Sequence, residues 1–130
     1  MRRRHAPALA SAALLAACAL LPPAGALASG DAQAGKAVYD TNCQSCHGPT
    51  GKGDGPVGQA LPTTPRDFSK GDFKFDTDND GKAGTDADLD AVIAKGAAAF
   101  GGSPLMAPWG AVIPEQDRWA VVKFIRSLSS

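Results

Sequence analysis

The sequence predicts an all-α domain whose loops are organised by something other than its own apolar core. Three observations carry this expectation. Apolar residues recur at helical spacing in three segments, residues 31–41, 86–98 and 114–128. The chain between them is rich in Gly and Pro, which make up 21 of the 102 residues from Ser29 to Ser130, a composition of loops and not of strands. Leu, Ile, Val and Phe supply only 18 of those 102 residues, below the roughly 20% at which chains approach disorder, although the high net charge of a disordered chain is missing. Domains this small and this short of core usually borrow stability from a disulfide, a metal or a cofactor.

The N-terminus reads as a leader. Arg2, Arg3 and Arg4 precede an apolar run from Ala8 to Leu21 that is too short for a membrane span, and Pro22-Pro23 stops it. Ala26-Leu27-Ala28 is an A-x-A site, so residues 1–28 are expected to be a signal peptide and residues 29–130 an exported, periplasmic domain. Leu15-Ala16-Ala17-Cys18 offers a competing reading, a lipoprotein box with a lipid anchor at Cys18. Either way the domain is exported. Without the leader it holds 10 basic and 13 acidic residues, a formal charge of −3, which speaks against nucleic acid as a partner. The domain itself contains no transmembrane stretch.

The first helix is expected over Asp31–Thr41, with Asp31 as N-cap and Ala34, Val38 and Tyr39 along one face. It runs into Cys43-Gln44-Ser45-Cys46-His47, a CxxCH string, which is the attachment sequence of a c-type haem. Two intervening residues let both sulfurs meet the two vinyl groups on one side of a porphyrin, while His47 reaches the iron. A redox disulfide between Cys43 and Cys46 competes, but it needs a βαβ frame that the sequence lacks. A zinc site competes too, but the domain has no second pair of Cys or His ligands.

Gly48 to Pro65 reads as loop, suited to wrapping one edge of the cofactor. Arg66 in Pro65-Arg66-Asp67-Phe68 is a candidate partner for a haem propionate, since a guanidinium matches a carboxylate in two bonds; a surface ion pair with Asp67 is the plainer reading. Asp76, Asp78 and Asp80, followed by Gly81, copy the opening of a calcium loop. The twelfth position is Ala87 and no helix enters the loop, so any calcium site would need Asp86 or Asp88. The residues favour a solvated acidic turn that stabilises the start of the next helix. That helix is expected from Asp86 to about Ala98, with a Thr85/Asp88 capping box, an apolar face of Leu89, Val92 and Ile93, and Gly101-Gly102 as its stop.

Met106 is the only methionine of the exported part and lies 59 residues after His47 in a loop bracketed by Pro104 and Pro108. A lone methionine is usually core filler. Here no second histidine is available, and a pre-set extended loop presents the thioether, so Met106 is the expected sixth iron ligand. The last helix opens at Pro114 with Glu115 and Asp117 near its positive end. It carries a stripe of Trp119, Val122, Phe124 and Ile125 through to Leu128, with Lys123 and Arg126 in the closing turns.

On the CQSCH string, Gly48, Gly55-Pro56, the Met106 loop and the terminal helices, the segment Gly30–Leu128 resembles the class I cytochromes c, in particular their small bacterial monohaem members. The resemblance implies three to five helices around one covalent haem, a first and last helix crossing at Gly35 with Tyr39 against Phe124, and a hydrogen bond from the second ring nitrogen of His47 to a backbone carbonyl near Pro56. It also implies a non-enzymatic, monomeric electron carrier that meets redox partners transiently. A mildly acidic domain favours partners with a basic face, while Lys36, Lys52 and Lys123 could ring the haem edge. Two other classes stay open: a haem enzyme or gas sensor if Met106 is not a ligand, and an electron-entry subunit of a larger reductase or dehydrogenase.

Overall fold

The computed structural model describes residues 24–130, with side chains from Asp31 onward. The order is α1 (Ala24–Asn42), α2 (Gln44–His47), α3 (Asp86–Lys95) and α4 (Glu115–Ser127), with short 3₁₀ turns at Gly58–Ala60, Phe68–Lys70 and Ala97–Phe100. No strand occurs among the described residues. The charged and apolar parts of the expected leader, with Cys18, lie outside them, and a cut after Ala28 would leave α1 beginning at Ser29.

α1 starts earlier than the sequence pattern predicts. The alanines of 24–29 are strong helix formers and nothing between Ala24 and Asp31 stops the helix, so Asp31 is an interior residue and not its N-cap. Its carboxylate instead accepts from Lys123 Nζ on α4 at 2.5 Å. The buried face of α1 is also turned by one residue: Ala34 is exposed, while Gly35 and Tyr39 are buried. The reason is the crossing with α4. A Cβ on Gly35 would stand 2.0 Å from the carbonyl oxygen of Ala120, so only glycine lets the two backbones touch there. Tyr39 packs against Phe124 one turn on, with ring centroids 5.0 Å apart.

α4 contributes Val121, Val122 and Ile125 to the core, the first two with no exposed surface. The expected stripe included Trp119, but that residue is 36% exposed. Val121, one helical turn before Ile125, takes the inner place. α3 begins as expected: Thr85 Oγ1 accepts from the Asp88 N–H at 3.1 Å, and the Asp88 carboxylate accepts from the Thr85 N–H at 2.8 Å. It ends three residues early, at Lys95, because Gly96 turns out of the helix at φ +77°, after which a 3₁₀ turn runs to a left-handed Gly101. α3 and α4 are bridged by Arg118, whose Nε donates to Asp90 at 2.8 Å and whose Nη1 donates to the Ile113 carbonyl at 3.0 Å. The seven-residue core of Tyr39, Phe68, Leu89, Ile93, Val121, Val122 and Ile125 is small. Around it Cys43, Met106 and Trp109 are only partly buried, because they face a cavity.

Candidate haem site

Cys43, Cys46 and His47 are brought together by a single helical turn. The His47 N–H donates to the Cys43 carbonyl at 2.9 Å and the Gly48 N–H to the Gln44 carbonyl at 2.8 Å. The buried Tyr39 hydroxyl donates to the Gly48 carbonyl at 2.7 Å, fastening the turn to α1. Both thiols are free. Burial, aided by the neighbouring Cys46, pushes the Cys43 thiol up to about 11.

His47 is 9% exposed. Its Nδ1 faces the Arg66 carbonyl at 3.3 Å; a carbonyl only accepts, so the proton sits on Nδ1 and the Nε2 lone pair is left for another partner. Burial lowers the imidazole's pKa, and the Arg66 carbonyl acts in the opposite direction; the burial effect favours the neutral ring that binds metals.

The acceptor is therefore not near Pro56, as the resemblance implied. Pro56 is exposed and does not line the cavity. The Gly55 N–H donates to Cys46 O at 3.2 Å and the Val57 N–H to Ser45 O at 2.9 Å, which lays residues 55–57 along the outside of α2. The Phe68 N–H donates to the Gly51 carbonyl at 2.6 Å and draws the segment 65–68 over His47 instead.

Met106 lies across the chain from these residues, and its loop hangs on the end of α3. The Ala97 N–H donates to the Met106 carbonyl at 3.1 Å, the Trp109 N–H to Ile93 O at 2.9 Å and the Gly110 N–H to Ala94 O at 3.0 Å. Gly96 permits this approach, since a Cβ there would stand 2.9 Å from the Met106 carbonyl oxygen.

All four predicted haem residues, Cys43, Cys46, His47 and Met106, line one cavity of about 470 Å³. Its walls are largely apolar, with Phe68, Phe73, Leu89, Val92, Ile93 and Trp109 prominent. Arg66 also lines it. Its nearest carboxylate is that of Asp72, at 3.8 Å, and not Asp67 as the plainer reading held, because Asp67 caps the turn at 68–70 by accepting from the Ser69 N–H at 3.0 Å. Lys74 joins Arg66 as a basic cavity residue. Of the lysines that could ring the edge, Lys36 pairs with Asp40 and Lys123 with Asp31, each at 2.5 Å, and none of Lys36, Lys52 and Lys123 lines the cavity itself. The sequence reading did not single out Phe68, Phe73, Trp109 or Lys74 as site residues. The aromatics among them lie outside the α-helices, in a short 3₁₀ turn or in loop, where no periodicity marks a buried position.

The carboxylates of Asp76, Asp78 and Asp80 lie within 4.8 Å of one another. They accept backbone N–H groups of their own turn, among them Gly81 N–H to Asp76 at 2.9 Å and Lys82 N–H to Asp80 at 2.8 Å. Asp86 and Asp88, one of which a calcium site would need, are committed elsewhere. Asp86 accepts from Arg126 Nε at 2.7 Å. The buried Asp88 accepts from the backbone N–H and the hydroxyl of both Thr77 and Thr85, at 2.6–2.8 Å. Burial alone would raise the pKa of Asp88, but these four hydrogen bonds outweigh it and hold the carboxyl well below its ordinary range.

Two thiols on one helical turn, a buried imidazole with a free nitrogen, a thioether, and an apolar slot with cations at its margin fit a flat amphiphilic metalloporphyrin, and imidazole with thioether is an axial pair for haem iron. The fold and site thus define an all-α protein built to hold a covalent haem. The family model described as Cytochrome c matches residues 32–129, and the chain belongs to that family, whose members carry haem c and transfer electrons. A search of curated proteins finds no match. Among solved structures, the chain is similar to a chain of the Kuenenia stuttgartiensis reducing HAO-like protein complex Kustc0457/Kustc0458, with 36% identity and a TM-score of 0.60 over 74% of this chain. The match spans only 41% of that longer chain.

Proposed function

We propose that the chain is an exported, single-haem electron carrier and not an enzyme, with Cys43 and Cys46 as the attachment thiols and His47 and Met106 as the two axial ligands. The observation that carries this reading is the convergence of these four side chains on one apolar cavity. When bound, the haem supplies a one-electron couple. The chain's residues do the rest. His47 is held neutral with Nε2 free, and the Met106 loop is fastened to α3 by backbone bonds that do not depend on the metal's charge. Apolar walls keep water from the ligands, and Arg66 and Lys74 balance negative charge at the margin. With His47 and Met106 both held for the iron, a bound haem would keep no coordination site open for substrate or gas, and a soft thioether would favour its reduced state.

The leader supports export, through cleavage after Ala28 or lipidation at Cys18. No helix among the described residues is long and apolar enough to cross a membrane. A second reading has one specific support: the likeness to a chain of a multi-protein complex favours a role as the electron-entry subunit of a larger enzyme, against free shuttling by a monomer. Size-exclusion chromatography of the native material distinguishes a free monomer from a complex member. Carbon monoxide tests the site itself. The reduced protein at neutral pH is expected to leave it unbound, and ready binding would show that Met106 does not close the iron.

A further inference from the structure

His47 has two neighbours against its ring, a hydrogen-bond acceptor and an aromatic face. At 3.3 Å, the contact from Nδ1 to the Arg66 carbonyl lies beyond the usual 2.7–3.2 Å range of N–H···O bonds, so it fixes the proton on Nδ1 better than it fixes the angle of the ring. The second neighbour is Phe68. Its ring lies against the imidazole with centroids 4.4 Å apart and planes 19° from parallel.

Phe68 lines the cavity on one side and is held by the fold on the others. It is 8% exposed, it meets Tyr39 edge-on at 6.5 Å and Phe73 at 5.9 Å, and its N–H donates to Gly51 O at 2.6 Å. The acceptor and the stacked face come from one short segment, Arg66 to Phe68.

We propose that Phe68 is the positioning residue for His47. Its ring fixes the imidazole's rotation about the Cβ–Cγ bond, and with it the direction in which the ligand's π-orbital meets the porphyrin. This rests on the reading of His47 as an axial ligand. A residue that fixes this direction governs the magnetic anisotropy of the ferric protein and contributes to its reduction potential, which filling space alone would not do.

The test uses the holoprotein. Phe68→Leu keeps most of the apolar volume and removes the flat face, whereas Phe68→Tyr keeps the face. In ferric samples, Phe68→Leu is expected to change the pattern of paramagnetically shifted haem-methyl proton resonances and to shift the reduction potential, while Phe68→Tyr reproduces the wild-type pattern. A wild-type pattern in Phe68→Leu, or equal changes in both variants, would overturn the proposal. Should Phe68→Leu not accumulate, the ferrous wild-type protein decides: cross-relaxation between the His47 and Phe68 ring protons is expected, and its absence overturns the stack. The same spectrum separates the two levels of inference. His47 ring protons outside the strongly shifted region would mean that the histidine is not a ligand, whereas shifted protons without a contact to Phe68 would mean that only the positioning role fails.

Discussion

Replacing Gly35 by alanine probes the joint on which the cavity is built. In an isolated helix this change stabilises by about 1 kcal/mol, because alanine loses less backbone freedom than glycine. In this fold the sign should reverse. The new Cβ would meet the Ala120 carbonyl oxygen at 2.0 Å, its carbon at 2.4 Å and the Val121 nitrogen at 2.9 Å. All three are backbone atoms of α4, so no side chain can swing aside. Reaching even a tight 3.0 Å contact requires α1 and α4 to part by roughly 1 Å. Tyr39, Val121 and Val122 have no exposed surface along that seam, and close-packed side chains lose much of their contact energy over such a gap. Overpacking of this kind costs about 1–3 kcal/mol and sometimes more, and with the loosened seam a net loss of about 3 kcal/mol is expected. The assay is equilibrium denaturation of the holoprotein in guanidinium chloride. Ala34→Gly serves as the neighbour control: Ala34 is exposed, and that change should cost only the helix-propensity difference of about 1 kcal/mol. A Gly35→Ala protein as stable as the wild type would refute the close crossing.

Three further outcomes are expected. Asp88→Asn replaces an acceptor of four hydrogen bonds by a group that presents N–H to some of the same donors, so stability should fall by about 2 kcal/mol. Because Asp88 titrates below its ordinary value when folded, its contribution is complete above about pH 4 and is lost as the pH falls through the folded value; acid titration of the wild type should show this loss and the variant should lack it. Met106→Ala should leave haem covalently attached and let the reduced protein bind carbon monoxide, read from its absorption spectrum; unchanged exclusion of the gas would remove Met106 from the iron. Cys46→Ser should lower the yield of coloured, folded protein, since the seven-residue core is too small to stand alone, and a normal yield of stable protein would show that the haem is not the core's missing part.

What could be read in the sequence was whatever chemistry ties to spacing. CxxCH fixes two thiols and an imidazole on one turn whatever surrounds them, and Met106 stood out because residues 29–130 offer no other thioether and no second histidine. The Thr85/Asp88 capping box and the start of α4 after Pro114 are likewise local, and both occur where the residues place them. The misplaced features depend on contacts distant in sequence. The His47 acceptor is a backbone carbonyl, a group every residue carries, so nothing in the sequence distinguishes Arg66 from the region of Pro56. Phe68 and Phe73 lie in chain without periodicity. Ala34 turns to solvent because α4 comes within touching distance at Gly35, where the resemblance had set the crossing. α3 stops at Gly96 and not at Gly101 because the Met106 loop needs room there.

The most direct measurement is the absorption spectrum of the purified protein, oxidised and reduced, after expression with the machinery that attaches haem. A single covalent haem held between His47 and Met106 should give the sharp ferrous bands of a six-coordinate low-spin c-type haem and, when ferric, the weak red band of sulfur ligation. Colourless protein, or a high-spin ferric spectrum without that band, would contradict the account.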